Sequence, residues 1–316
     1  EKLIKNMNDC KPHIMTAVPR FYQNLYQKIN SAFKKATGLK KKLIFKMLQI
    51  GKKKINKQPL SLVDNFFDFI LEFIVRKKIK SQFGGNLKAF VSGGGPLDKD
   101  VGTFLNAIGL PTLQGYGLTE TSPVVSCNPL NKIKVETVGP IFPGVEVKLA
   151  DDGEILVKGE NLMLGYWNND EATSQTIKDG WLYTGDIGEF DNEGYLKITD
   201  RKKDIIVSLG GDNIAPSKLE NLLTLSSDIE QACVFGEQKN YIAALIILSQ
   251  NSKFTKEDIQ NYIDVINKDL TQPEKIKKFS IIDEAFSIEN NLMTPTMKVR
   301  RHEVEKKYSE IINNLF

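Results

Sequence analysis

Histidine is nearly missing from this sequence: His13 and His302 are the two present in 316 residues. A pair so far apart argues against a histidine-based catalytic triad and against a zinc centre. Cysteine is also scarce, and Cys10, Cys127 and Cys233 show neither metal-ligand spacing nor an even count. They fit reduced, mostly buried thiols in a cytoplasmic protein. No uninterrupted apolar run is long enough to cross a bilayer. No secretory signal or initiating Met stands at Glu1, and the opening residues already read as folded protein, so the sequence is treated as a fragment whose upstream part is missing. What remains is ordinary globular composition, 41% hydrophobic and 26% charged, at a length for which two domains are expected.

The net charge of +4 conceals one block. Residues 31–60 carry ten Lys and no Asp or Glu, so the rest of the chain is net negative. Leu39, Leu43 and Met47 recur between those lysines at helical spacing, which describes a basic amphipathic helix. Such a helix can lie on an anionic membrane, or be a lid or surface helix kept soluble by its lysines. The helix after it offers the apolar residues another home. That second helix has Ser61 and Asp64 at capping-box spacing, an apolar face of Leu62, Phe66, Phe69, Phe73 and Ile74, and an end at Gly84-Gly85.

Elsewhere the chain alternates. Residues 12–29 read as a short strand or loop to Pro19, then a helix whose Phe21, Leu25 and Ile29, flanked by Tyr22 and Tyr26, face a core. Leu87–Ser92 reads as a strand, Gly93-Gly94-Gly95-Pro96 as a turn, Leu97–Ile108 as a helix and Thr112–Tyr116 as a second strand. This is a parallel-sheet pattern. From Val138 the chain turns to short strands, including the hairpin Val145–Ala150 and Glu154–Val157 around Asp151-Asp152-Gly153. The stretch Gly194–Pro216 crosses the charge cluster Asp200-Arg201-Lys202-Lys203-Asp204, then an apolar run, then Gly210-Gly211, and reads as a moving boundary between domains. A small α+β unit follows: a helix from near Pro216, strands at Gln231–Phe235 and Ile242–Leu248, a helix at Lys256–Ile266, and a terminal helix.

Several residues have chemistry suited to a ligand. Three glycines at the exit of a strand let backbone approach a ring or a phosphate. In Gln114-Gly115-Tyr116-Gly117-Leu118-Thr119-Glu120-Thr121, an aromatic ring can stack on a base, the Thr119 hydroxyl can bond a phosphate, and Glu120 is a hard oxygen ligand for Mg²⁺. Asp186, after Gly185, suits a ribose diol. Lys298, in a loop bounded by Thr and Pro, can serve as a mobile cation. Each of these taken alone has a bland counterpart: a glycine turn, a buried Tyr in a polar loop, a capping Asp, a surface lysine.

Taken in order, however, YGLTET, WLYTGD, GYLKITDRKKDIIVSLGGDNIAP and TPTMKVRR closely resemble the core motifs of the adenylate-forming superfamily. The match is best to long-chain fatty acid–CoA ligases, whose AVPRFY segment and long insertion before SGGGPL this chain also resembles. The resemblance implies an α/β fold comprising the rear part of the large AMP-binding domain, residues 1–199 with a helical insertion at 31–80. A small mobile α+β domain, residues 200–316, would follow, hinged near Asp200. The family's phosphate loop would lie upstream of everything present. The implied activity converts a long-chain fatty acid, ATP and CoA to acyl-CoA, AMP and pyrophosphate, with Mg²⁺.

By the same resemblance Gly93, Gly94, Gly95 and Tyr116 line the adenine pocket, Gln114, Gly115 and Gly117 belong to the same ATP/AMP-binding site, Asp186 holds the ribose hydroxyls, and Arg201 binds ribose or phosphate. Thr119 contacts the α-phosphate and Glu120 binds Mg²⁺. Lys298 reaches carboxylate and phosphate during adenylation, while Gly210 and Gly211 line the pantetheine tunnel. Two other readings compete: a ligase for aryl or amino acids, and a non-catalytic lipid- or polyanion-binding fragment. Nucleic acid is not expected, because the lysine block lacks interleaved exposed aromatics. For that block, through Lys34–Lys57, two partners stand open, peripheral contact with the inner face of an anionic membrane or the phosphates of CoA, and acyl chain length and oligomeric state are not legible.

Overall fold

The computed structural model describes residues 2–294 and 298–316; Pro295, Thr296 and Met297 of the TPTMKVRR motif lie outside the described residues. The chain packs as two compact units, Glu1–Thr199 and Asp200–Phe316.

In the first unit, α1 (Lys2–Cys10) leads to β1 (Ile14–Ala17) and α2 (Pro19–Lys34), with Pro19 in the first turn where its missing N–H costs nothing. The helices α3 (Gly38–Ile55), α4 (Leu62–Leu71) and α5 (Lys77–Ser81) follow, the last two joined by a wider π turn at Glu72–Arg76. Next come β2 (Ala89–Ser92), α6 (Lys99–Ala107), β3 (Thr112–Tyr116) and β4 (Ser126–Cys127). The strands β1, β2 and β3 are parallel neighbours, as the alternating pattern predicts, and β4 closes the sheet antiparallel to β3. Tyr22 of α2 is fully buried against this sheet, its hydroxyl donating to the Val91 carbonyl at 2.9 Å.

The second half of the first unit is an antiparallel sheet. It contains β5 (Val145–Leu149), β6 (Glu154–Gly159), the short α7 (Asp170–Thr176), β7 (Ile177–Lys178), β8 (Trp181–Phe190) and β9 (Leu196–Arg201). Strand order is β5-β6-β8-β7, with β9 on β8. Its core of Val125, Val138, Ile155, Val157, Leu182 and Leu196 takes in Tyr116 from the end of β3. The parallel sheet and this antiparallel sheet therefore share apolar residues at the strand exit.

The second unit begins with the hairpin β10 (Ile206–Val207) and β11 (Asn213–Ile214), then α8 (Pro216–Thr224). A three-stranded sheet of β12 (Ile229–Phe235), β13 (Ile242–Leu248) and β14 (Ile276–Ile281) follows, with α9 (Lys256–Ile266) between its last two strands. Its two faces are covered separately. One packs on α8 and α9, and the other on the segment around Leu292, Met293 and Val304, ending in α10 (Arg301–Lys307) and α11 (Ser309–Asn313). β14, α1 and α7 have no counterpart among the sequence expectations.

Two sequence expectations are corrected. The cysteines are not mostly buried: Cys233 is, Cys127 is half-buried and Cys10 is exposed, all as free thiols. The apolar face assigned to the second insertion helix does not meet a core within this chain. Leu62, Phe66, Phe69, Phe73 and Ile74 are all exposed, Phe66 at 63% and Phe69 at 67%. The inward side of α4 carries Asp64, whose carboxylate accepts from Lys46 and Lys53 of α3, both at 2.7 Å, and Asp68, which accepts from Lys54 and, at 2.7 Å, from the buried Arg76. Electrostatics outbids periodicity here: an Asp facing a lysine-rich helix gains two charge-assisted bonds, so the helix turns its acids inward. The Ser61 cap holds, accepting from the Asp64 N–H at 3.0 Å, but the Asp64 side chain bonds the lysines and does not reciprocate. In α3 the packed stripe is Ile44, Met47 and Ile50, with Leu39 exposed.

Candidate active site

The glycine turn Gly93–Gly95 leaves the carboxyl end of β2, and the loop Gly117–Thr121 leaves the end of β3, so both open at the same edge of the parallel sheet. This is the edge at which open α/β sheets receive ligands. The loop after β3 is pinned from within. The Thr121 hydroxyl, fully buried, accepts from the Leu118 N–H at 2.9 Å and donates to the Pro123 carbonyl at 2.8 Å. A Cβ on Gly117 would sit 1.5 Å from that Pro123 carbonyl oxygen, so only glycine permits the chain to fold back there. With Thr121 turned inward, Thr119 is exposed and Glu120 half-buried at the loop surface.

Asp186 arrives from the other sheet through a local irregularity. The pairing of β6 with β8 runs from Leu156–Tyr183 to Glu154–Ile187, so Thr184, Gly185 and Asp186 oppose Ile155 alone. Such a bulge re-aims a side chain that regular pleating would send elsewhere. Thr184 donates to the Ile155 carbonyl at 2.7 Å and accepts from the Asp186 N–H at 3.1 Å. Gly185 takes a left-handed φ of +72° and donates its N–H to the buried Glu154 carboxylate at 2.9 Å. The bulge turns Asp186 onto Tyr116, whose hydroxyl donates to Asp186 Oδ2 at 2.7 Å. Two candidates 70 residues apart are thus brought into one hydrogen bond.

Tyr116 itself is only 8% exposed, packed into the shared core with its hydroxyl at the rim. Gln114 is also buried. Its amide oxygen accepts from the Leu97 N–H at 3.1 Å and its amide nitrogen donates to the Val135 carbonyl, so it braces the turn that follows Gly93–Gly95. Two residues that sequence reasoning did not single out belong to the same cluster. The Tyr166 hydroxyl donates to Glu120 Oε1 at 2.9 Å, and burial together with that carboxylate raises its pKa. Glu154 holds the Gly185 turn. The loop bearing Tyr166 is further tied to the Glu120 loop by the Met163 N–H on the Glu120 carbonyl at 2.8 Å and by Asn161 on the Thr121 carbonyl at 3.0 Å. An aromatic residue in Leu164-Gly165-Tyr166-Trp167 was the available signal, but nothing local connects it to Glu120.

In the second unit, Asp200 is half-buried and accepts from the Arg201 N–H at 2.8 Å; desolvation raises its carboxyl pKa. Arg201 is exposed. Gly210 and Gly211 lie in the loop between β10 and β11, Gly211 at a φ of +85°. Gly210 borders a cleft of about 280 Å³ whose walls include Ser208, Asp212, Lys239 and Lys277. Lys298 is exposed; the Thr294 N–H donates to the Lys298 carbonyl at 2.8 Å and the Lys298 N–H to the Thr294 hydroxyl at 3.1 Å. Among the described residues, no cluster of three or more His, Cys, Asp or Glu could hold a metal unaided.

Residues 1–167 match the AMP-binding enzyme family, and residues 203–316 match the AMP-binding enzyme C-terminal domain. A long-chain-fatty-acid–CoA ligase of Mycobacterium bovis is 36% identical over 97% of this chain and 55% of that protein. A fatty acyl-CoA synthetase of Dictyostelium discoideum is 31% identical over 96% of the chain and 50% of that protein. The chain thus spans about half the length of the curated relatives it matches. In fold it resembles the adenylation domain of a carboxylate reductase from Mycobacterium chelonae, with a TM-score of 0.74 and 20% identity over all of this chain and 48% of that one. An anthranilate CoA ligase in complex with anthranoyl-AMP gives a TM-score of 0.68 and 20% identity over 97% of this chain and 52% of that one. With its two units matched in order by the two family descriptions, the first over more than half its length, the chain belongs to the AMP-binding enzyme family.

Proposed function

We propose that the full-length protein is an ATP-dependent long-chain fatty acid–CoA ligase. A fatty acid carboxylate oxygen would attack the α-phosphorus of ATP, breaking the α–β anhydride and releasing pyrophosphate. The CoA thiol would then add to the acyl carbon, with AMP leaving. The observation that carries this reading is the Tyr116–Asp186 hydrogen bond set beside the exposed Thr119 and half-buried Glu120, all at the carboxyl edge of the parallel sheet. That is a hydrogen-bonding carboxylate next to phosphate-binding chemistry, in a chain of the AMP-binding family. The names of the curated relatives support fatty acid as the substrate over aryl or amino acids.

In this reading Asp186, oriented by Tyr116, receives the ribose hydroxyls, assisted by Arg201. Gly93, Gly94, Gly95 and Gly117 present backbone to the adenine and phosphates; Gln114 and Gly115 shape that wall. Thr119 donates to the α-phosphate. A single half-exposed carboxylate suits Mg²⁺, which takes one or two protein carboxylates and completes its shell with phosphate and water, so Glu120 would hold the ion while the ion neutralises phosphate charge. Lys298 brings an ammonium to the reacting carboxylate and phosphate, stabilising charge that grows in the transition state. Gly210 and Gly211 would border the pantetheine chain. Residues 1–199 and 200–316 would act as large and small domains that exchange half-reactions by rotation about Asp200.

Residues 31–80 would meet the inner face of a membrane. They hold fourteen Lys and Arg against three acids, and α4 exposes its phenylalanines. Lysines with interfacial aromatics suit an anionic bilayer. None of the helices among the described residues is long and apolar enough to cross a membrane.

Lys298→Ala in the full-length protein tests the central assignment. Loss of a positioned cation costs about 3 kcal/mol, roughly a hundredfold, in acyl-adenylate formation. Thioester formation from supplied acyl-adenylate is expected to persist, and equal loss of both half-reactions overturns the role.

A further inference from the structure

We propose that Arg301, clamped by Glu220, is a positioning residue that fixes the Lys298 loop for adenylation. The proposal rests on the assignment of Lys298 above and adds the device that places it.

Arg301 stands three residues after Lys298 and opens α10. Its Nη1 donates to Glu220 of α8 at 2.6 Å and to the Val234 carbonyl of β12 at 2.7 Å, and lies 3.3 Å from Cys233 Sγ. Glu220 Oε1 also accepts from the Val234 N–H at 2.9 Å, so α8, β12 and α10 are tied at one point. The side chains are mostly covered, 24% exposed for Arg301 and 17% for Glu220. Asp204 and Asp200, at the start of the unit, add negative charge facing the same guanidinium. The Cys233 thiol beside it is fully buried, and burial raises its pKa, so it stays protonated and offers no competing charge.

The other side of the loop is anchored to the same sheet. Leu292 and Met293 are buried in the cluster that contains Cys233. Met293 bridges to Val299, and the Arg300 N–H donates to the Leu292 carbonyl at 2.8 Å. Lys298 is therefore an exposed residue with apolar packing at Leu292 and Met293 before it and the Arg301 anchor three residues after it.

Stability alone does not explain this clamp. Covering an ion pair costs desolvation that the mutual attraction at best offsets, and apolar residues of like volume often do as well. What the guanidinium supplies is a fixed position: its Nη1 alone reaches the Glu220 carboxylate and the Val234 carbonyl while the planar head, with Nε buried and unbonded among the described residues, fills the space between α8, β12 and α10, a shape that a lysine ammonium on its thinner stem does not reproduce. A fixed position matters at a residue whose neighbour must meet two reacting anions, where a displacement of about 1 Å costs on the order of a hundredfold in rate.

The test uses the full-length protein with Arg301→Lys and Glu220→Gln, each beside Lys298→Ala. Fatty acid-dependent pyrophosphate exchange, thioester formation from supplied acyl-adenylate, and melting temperature are measured for all three. Arg301→Lys is expected to lower kcat of adenylation by about ten- to a hundredfold with KM for ATP within about twofold. Glu220→Gln, which keeps an acceptor, should lower it less. Thioester formation should stay within about threefold of the parent in both. Hydrogen exchange at the Thr294 and Lys298 amides should quicken in both variants while β13 stays protected. Adenylation that is unchanged in a folded variant overturns the proposal. So does a parallel fall of both half-reactions with the melting temperature, which marks a merely structural pair. If a variant folds too poorly for kinetics, unaltered exchange at Thr294 and Lys298 in the other overturns it. Undiminished adenylation in Lys298→Ala sinks the lysine assignment itself, whatever Arg301 does.

Discussion

Tyr116→Phe removes one atom from the site and leaves the ring in its core position. The hydroxyl lost is the donor to Asp186 Oδ2 at 2.7 Å, with the carboxylate half-buried on the β8 bulge. A hydrogen bond to a charged group contributes about 1.5–3 kcal/mol, and partial exposure of Asp186 places this one at the lower end. If Asp186 receives the ribose, its orientation should suffer on ATP binding, so KM for ATP should rise by roughly tenfold, the equivalent of about 1.4 kcal/mol. Fold stability should fall by about 1.5 kcal/mol, the worth of the lost bond and no more, because the ring still fills the cluster around Val125 and Leu196. The assay is pyrophosphate exchange in the full-length protein at varied ATP and saturating fatty acid. A KM for ATP within twofold of the parent, with the fold intact, refutes the reasoning that Tyr116 aims Asp186 at the nucleotide.

Three further outcomes follow from the same structure. Gly117→Ala forces a Cβ to 1.5 Å from the Pro123 carbonyl oxygen, so the loop must open; destabilisation of about 3 kcal/mol or more is expected in urea unfolding, and a change under about 1 kcal/mol contradicts the packing. On the β8–β9 side, Lys134 holds the Asp191 carboxyl down to about 2, and Lys132, with Lys134, holds Glu193 down to about 2. Depressed carboxyls stabilise the folded state above their ordinary range and lose that contribution as pH falls. The gap in urea midpoint between the parent and Lys134→Met should therefore be present near neutrality and shrink between about pH 5 and 2; a constant gap contradicts the pairing. Finally, Phe66→Ser with Phe69→Ser should weaken sedimentation of the full-length protein with vesicles rich in phosphatidylserine by about 3 kcal/mol, roughly a hundredfold. Unchanged binding, or binding indifferent to anionic lipid, removes the membrane as the partner of this face.

Short-range chemistry explains what was readable. The parallel strands around Gly93 and Tyr116, the hairpin at Asp151-Asp152-Gly153 and Pro216 in the first turn of α8 rest on turn residues and periodicity within a dozen positions. The ordered motifs likewise placed Thr119, Glu120, Asp186 and Lys298 as candidates, since each motif is a contiguous word. Periodicity failed at α4 because it finds a stripe without saying which way the stripe faces. The facing was decided by Asp64 and Asp68 meeting lysines from α3. The motif containing Tyr166 was visible as aromatic residues, but its bond to Glu120 spans 46 residues and depends on how two loops meet.

By itself, then, the sequence determined the family, the order of the motifs and the identity of the groups with chemistry to offer, because side-chain chemistry and local backbone preference are carried residue by residue. Only the tertiary structure decided that a bulge in β8 delivers Asp186 to Tyr116, that Tyr166 backs Glu120, that Arg301 is locked into Glu220, and that the phenylalanines of α4 look outward. Each of these pairs groups distant in the chain, or chooses between two faces of one helix. Such choices are settled by the competition among burial, charge pairing and hydrogen bonding across the whole fold.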